Sequence, residues 1–413
     1  MHACGTPKAI LSAPNTLPKN PLSKPLYYIF LALIVGVSLS LGIYKSLEIS
    51  ISYKEALFYF STPHFLADRL LLQALHAFVE GIGCALPKDL VLRLPGLFLH
   101  GLNIVLIYHI SHKMPLKKPY DPLFVALTFA LLPGVQLGAI LLGKVSLLLT
   151  LSFCVLLGFY TWVFYPLVVL IALSDGSAMV LLMGLLLYAF KQRYALKIAL
   201  LLIALSFNLY YFNSIKGMPE GFFIDTLVVM FILYSPCLCL YYPYVLYAQV
   251  VKNYKQDSLI GIVATTGFAL PLLLSLRQEL PPQFLSYGAV GMPILLQKAL
   301  SSIRLHLPVF RSHYYIRYSL VFGTLFLESA FLWGGYNPFV STHYIAKELA
   351  TALKARGIEA IHVNSYQMAL RLKFYGIHDR ADLFLVKQGK QGEIKIRYKS
   401  KVVASYAITN HKP

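Results

Sequence analysis

Charged residues make up only 13% of the 413 positions, so the few that border long apolar runs are the informative ones. Lys54-Glu55 follows directly on the first apolar run. A carboxylate at such an edge is partly desolvated and can act as a general base or hold a cation. The plainer reading is a pair of interfacial charges opening an amphipathic helix, EALFYF. Asp175 stands in the turn Ser174-Asp175-Gly176-Ser177, where an Asp-Gly pair most often only makes the turn. Lys144 lies in Leu142-Gly143-Lys144-Val145-Ser146 and Arg277 in the loop from Ser275 to Pro282. A guanidinium stays charged and offers phosphate two donors at once; against that, Arg277 has the ordinary role of a snorkelling residue at a helix end. Glu328 falls inside the last apolar run, and an intramembrane carboxylate is costly enough to be a functional candidate. Asn208, Asn213, Lys216 and Glu220 frame a further turn, most simply a solvated one. His64, His76, His100 and His109 lack metal-ligand spacing, and there is no Gly-rich phosphate loop, serine-nucleophile motif or zinc motif.

The elements that position these residues are membrane spans. A hydrophobic fraction of 58% and a mean hydropathy of +0.66 lie far outside the range of soluble domains, which carry about a quarter of charged residues. Apolar runs long enough to approach the roughly 20 residues of a span occur about eleven times. They cover 27–46, 91–111, 122–141, 145–160, 162–173, 177–190, 197–213, 222–250, 258–276, 283–300 and 315–334. The fifth and sixth are short, and Pro236 and Pro243 point to a kink or an interfacial extension in the eighth. The first run follows Lys8, Lys19 and Lys24 without a small-residue cleavage pattern, so it is expected to remain as an anchor.

The net charge of +19 is dispersed over short loops, which argues for orientation signals and against nucleic-acid binding. With the N-terminus inside, the cytoplasmic connectors hold Lys113, Lys117, Lys118, Lys191, Arg193, Lys197, Lys252, Lys255, Arg304, Arg311 and Arg317. The short external turns then hold only Lys144, Lys216 and Arg277. Cys4, Cys84, Cys154, Cys237 and Cys239 form neither a disulfide framework nor a zinc site. The expected fold is an α-helical multi-pass membrane protein: residues 1–26 cytoplasmic, 27–335 transmembrane with an external loop at 47–90, and 336–413 a small extracytoplasmic α/β lobe. In that lobe, Ser341-Thr342 is expected to cap a helix stopped by Gly357, followed by a strand in IEAIHV, a helix in SYQMALRLKFYG, a strand in DLFLV and a hairpin to the end.

The order of the first-loop pieces resembles the GT-C lipid-dependent glycosyltransferases, more narrowly their protein-mannosyltransferase and aminoarabinose-transferase branch. The pieces are Lys54-Glu55-Ala56-Leu57-Phe58-Tyr59, then Thr62-Pro63-His64-Phe65, then the Leu-rich helix 70–78, then Leu92-Arg93-Leu94-Pro95-Gly96. The resemblance implies transfer of a sugar from a polyprenyl-phosphate donor, in a membrane-lipid setting, to a glycan, lipid or protein acceptor outside the bacterial inner membrane. Direct displacement would invert the anomeric centre. It also implies a catalytic carboxylate at Glu55 or Asp175, phosphate contacts from Lys54, Lys144 and Arg277, and substrate contacts from His64 and Arg93. Lys54 stands where that family usually has Asp, and Lys144 where a second acid is common. Three readings stay open: Glu55 as base, a substitute acid such as Asp175, or a degenerate site in a protein that scaffolds envelope assembly. No cofactor is called for, and the question of a divalent cation stays open. A transporter would be expected to show an inverted repeat, and none is evident.

Overall fold

The computed structural model describes residues 24–82, 86–215, 221–248, 258–302, 308–334, 338–380, 383–388, 392–398 and 401–409. The expectations for Cys4, Cys84, Lys216, Glu220, Lys252, Lys255 and Arg304 lie outside these residues. Each apolar run of the sequence coincides with a helix or with consecutive helices. Helices Lys24–Glu48 and Lys88–His112 have 25 residues each, about 37 Å of rise, more than the roughly 30 Å of a hydrocarbon core. Among the described residues, three helices are long and apolar enough to cross a membrane, or up to five if each bent pair is one span. The remaining runs are shorter apolar helices: Val145–Gly158, Phe164–Ser174, the segment Gly176–Gln192, and Leu259–Ser275.

Proline places the bends. Asp121–Leu131 and Pro133–Ile140 meet at 60°, and Phe223–Tyr234 and Pro236–Leu246 meet at 101°. In each case the second helix begins with a residue that has no N–H for the preceding turn. Gly96 lets helix Lys88–His112 approach Pro133–Ile140 closely, since a Cβ there would stand 2.9 Å from the Ala139 carbonyl oxygen. One apolar core runs through the bundle, from Ile104 and Phe129 through Leu182 and Val263 to Leu295 and Leu325.

The connectors sort to two ends. At one end Lys118 Nζ donates to Tyr314 Oη at 2.9 Å and Lys117 Nζ to the Ser302 carbonyl at 3.4 Å. At the other, Leu142 N–H donates to Glu55, and Gln278 Nε2 to the Ser214 carbonyl at 2.8 Å.

The C-terminal stretch forms helices Pro338–Ala355 and Tyr366–Phe374 on a four-stranded sheet. Its strands are β1 (His362–Val363), β2 (Phe384–Gln388), β3 (Ile394–Tyr398) and β4 (Lys401–Thr409), in the order β1-β2-β4-β3. β1 runs parallel to β2, and the other pairs are antiparallel. Two expectations need correction. The helix starts at Pro338 rather than after Ser341-Thr342, because proline is well suited to the first helical turn; Gly357, at φ +72, follows its end as expected. The strand expected in IEAIHV shrinks to two residues, because Glu359 and Ile361 bond to His378 while His362 bonds to Leu383.

This stretch docks on the first loop. Arg371 donates through Nε to the Ile51 carbonyl (2.8 Å) and through its terminal nitrogen to Ser50 Oγ (3.1 Å). Tyr375 Oη accepts from Ile51 N–H at 2.9 Å and donates to Asp89 Oδ1 at 2.6 Å. Lys347 pairs with Asp89 Oδ2 at 3.1 Å and donates to the Leu47 carbonyl at 2.8 Å. Leu370 and Phe374 complete an apolar cluster with Ile51, Ala56, Leu72, Leu75 and Leu92. Replacing Tyr375→Phe leaves a buried amide and a buried carboxylate oxygen each short of a partner, a loss of about 3 kcal/mol. Thermal unfolding should show this, with earlier proteolytic release of the C-terminal stretch. Burial, and next the Asp89 charge, push the Tyr375 hydroxyl above its ordinary value of 10.0. Its contribution is therefore complete below that value and falls as pH rises past it. The Phe variant should lose that alkaline sensitivity.

Candidate functional site

The site grows from the end of helix Lys24–Glu48, whose last carbonyls lack intrahelical partners. Arg93 supplies donors: its guanidinium reaches the carbonyls of Ser46 (3.0 Å), Ile49 (2.6 Å) and Ser50 (3.2 Å), and Glu55 Oε2 at 3.5 Å. Glu55 opens helix Tyr53–Phe60 in a capping box, accepting from Ser52 N–H at 2.7 Å while its own N–H donates to Ser52 Oγ. Its other oxygen accepts from Leu142 N–H at 2.7 Å. Both residues are 2% exposed. A buried ion pair is tolerated only when its remaining donors and lone pairs are filled, and here most are.

In this setting both Glu55 oxygens accept from the protein, and the Arg93 guanidinium faces main-chain carbonyls and Glu55. Lys54, the residue preceding Glu55, is exposed.

A second group of charges lies just beyond. Lys144, two residues past the Leu142 amide that Glu55 holds, places its ammonium on Asp175 Oδ2 at 3.0 Å, on the Ser174 carbonyl at 3.2 Å and against Asp68 Oδ1. Asp175 spends its other oxygen on Ser177 N–H and Oγ, at 2.9 and 2.6 Å, capping a short turn. Asn208 Nδ2 fixes the same turn through the carbonyls of Ala172 and Asp175. Phe65 packs on Tyr211 and Phe212, with ring centroids 5.4 and 4.8 Å apart, and so seats the start of helix Leu66–Ile82, which carries Asp68 in its first turn. The side chains of Lys144, Asp68 and Asp175 are 14%, 15% and 20% exposed, mostly withdrawn from water but not sealed from it.

The structure thus brings Lys144 and Asp175 together, and pairs Glu55 with Arg93. His64 is exposed in the segment just ahead of Asp68, and Arg277 is exposed in a loop whose next residue bonds Ser214. Ser214 in turn lies against Gly176, beside Asp175. Asp68 was not singled out in the sequence. An acid in the first turn of an amphipathic helix has a sufficient local reason to be there, the helix dipole, and its partner lies far along the chain. Among the described residues no group of three His, Cys, Asp or Glu side chains is arranged to hold a metal ion. Here the two carboxylates converge on an ammonium instead.

Removing that ammonium should tell. Lys144→Met leaves two partly buried carboxylates facing each other, and like charges at such range disfavour ionisation of both. The expected result is a lower melting temperature that a second change, Asp175→Asn, largely restores. The coupling should fall at about 1–3 kcal/mol in a double-mutant cycle.

No protein-family model matches the chain, and no curated protein sequence does. Among solved structures, the crystal structure of ArnT from Cupriavidus metallidurans in the apo state resembles it. The two share 15% sequence identity over 85% of this chain and 75% of that one, with a TM-score of 0.48. A likeness this loose carries no inference about chemistry.

Proposed function

We propose that the chain is a GT-C-like integral membrane glycosyltransferase that moves a sugar from a polyprenyl-phosphate donor to an envelope acceptor: a glycan, a lipid such as lipid A, or a protein. The observation that carries this reading is the Asp68–Lys144–Asp175 cluster. It sits at the end of the bundle where the first loop gathers, and it combines groups that take a proton with one that neutralises phosphate. The order of the first-loop pieces supports the same reading.

In this reading Asp68 or Asp175 accepts the proton of the acceptor's nucleophile as it attacks the anomeric carbon. The bond from that carbon to the phosphate oxygen breaks, and the lipid phosphate leaves with its charge met by Lys144, helped by Arg277 and Lys54. Displacement inverts the anomeric centre. His64 borders the substrate path, while Glu55 and Arg93 hold the frame. The N-terminus is cytoplasmic in the inner membrane, and the C-terminal α/β stretch lies outside.

The saturation of Glu55 favours a second reading, a catalytically silent scaffold of envelope assembly. One experiment separates the two. The purified protein in lipid is incubated with radiolabelled polyprenyl-phosphate sugars and membrane extract. The enzyme reading expects transfer that drops by about 100-fold or more in Asp68→Asn or Asp175→Asn. Transfer undiminished in both variants sinks the cluster as the site, and no transfer with any donor supports the scaffold.

A further inference from the structure

Both broken helices bend at one place. Gly134, just past the first break, packs so tightly on Leu233, just before the second, that a Cβ would stand 2.9 Å from the Leu233 carbonyl oxygen. Ser235, at the second break, is fully buried and has φ +74 and ψ 133, a backbone region that costs a non-glycine residue about 1–3 kcal/mol. Pro236 has no N–H to offer the Ile232 carbonyl. The hydroxyl of Ser235 donates to Glu328 Oε1 at 2.8 Å, from the facing helix Pro308–Trp333. One residue on, Ser329 Oγ accepts from Gln136 Nε2 at 2.7 Å, and the same amide reaches the Ala130 carbonyl at 2.9 Å across the first break.

The polar groups of this junction do not balance. Gln136 is 4% exposed. Glu328 Oε2 and Gln136 Oε1 are both buried and meet no donor among the described residues. Glu328 has no cationic partner there either. The titratable groups on the helices around it are Asp121, Asp225, Lys298, Cys237, Cys239 and the tyrosines of 234–244, with Arg311, His313, Tyr314, Tyr315, Arg317 and Tyr318 on its own helix. The bond shown to its carboxyl group is the one from Ser235, and Arg317 pairs with Tyr241 Oη. An anionic oxygen in an apolar bundle without a counter-charge is costly, and broken helices that expose carbonyls beside it are how such bundles hold small cations.

We propose that this junction is a monocation site, in which the Glu328 carboxylate takes a proton or an alkali-metal ion, with neutral oxygens at hand from Ser235 and Gln136. One bound positive charge supplies what both orphaned acceptors lack. The site shares no residue with the Asp68–Lys144–Asp175 cluster and holds whether or not the protein is an enzyme.

The test uses the full chain in detergent or lipid. Dicyclohexylcarbodiimide, which enters apolar regions and adds to protonated carboxyl groups, is applied across a pH series in sodium chloride or in choline chloride, and Glu328 modification is read by peptide mass. Melting temperatures are taken in the same buffers. An alkali-ion site gives modification in choline that falls roughly tenfold once sodium exceeds its dissociation constant about tenfold, with a sodium-dependent rise in melting temperature. A proton site gives modification that declines with rising pH and ignores sodium. In both cases Glu328→Gln abolishes the effect, and Ser235→Ala shifts its midpoint. Modification and melting temperature that follow neither pH nor sodium, or that follow them equally in Glu328→Gln, overturn the proposal.

Discussion

A helix that ends inside a protein must find donors for its last carbonyls, and the chain at and just past the end of helix Lys24–Glu48 finds several of them in one buried guanidinium. Arg93 meets the carbonyls of Ser46, Ile49 and Ser50, and the charge it brings indoors is balanced by Glu55. Everything at this end of the molecule builds outward from that pair. Glu55 starts the first-loop helix through its capping box and reaches across to fix the turn at Leu142. The C-terminal stretch clamps the same backbone from the other side, with Arg371 and Tyr375 on Ile51 and with Lys347 on Leu47. Few positions along 46–55 are left free to move.

That rigidity matters because the reactive-looking charges are one step removed from it. Lys144 follows the turn that Glu55 anchors, and its partners arrive on two other elements, Asp68 from the first-loop helix and Asp175 from the turn after helix Phe164–Ser174. Positioning a lysine ammonium between two acids needs all three backbones held, since a flexible side chain alone would be shared with solvent. The buried pair and the reachable cluster therefore divide the work, one holding geometry and the other meeting water.

The bundle was largely legible in the sequence, because apolar runs and prolines act locally. The kink expected at Pro236 lies at the 101° break; the 60° bend at Pro133 had an equally local cause and was not singled out. Pairings were not legible. Nothing near Arg93 in the chain announces that it will meet carbonyls and a carboxylate some 40 residues earlier, and a Leu-Arg-Leu-Pro stretch reads as an interfacial arginine opening a span. Glu55 stood out as a carboxylate expected to be partly desolvated, and the structure buries it further than a loop position implied, with both oxygens accepting from the protein. Asp68 stayed hidden because its local setting explains it fully. Lys144 stood out because it replaced an expected acid, and its meaning came only with the two carboxylates around it.

The most direct measurement of this division of labour is Glu55→Gln, read for stability and for sugar transfer on the same sample. Gln keeps the shape but removes the charge that balances Arg93 and weakens the oxygens that hold Ser52 and Leu142. The account predicts a clear fall in melting temperature while transfer per folded molecule stays within a few-fold of the wild type. An unchanged melting temperature with transfer abolished would contradict it, and would return Glu55 to the chemistry.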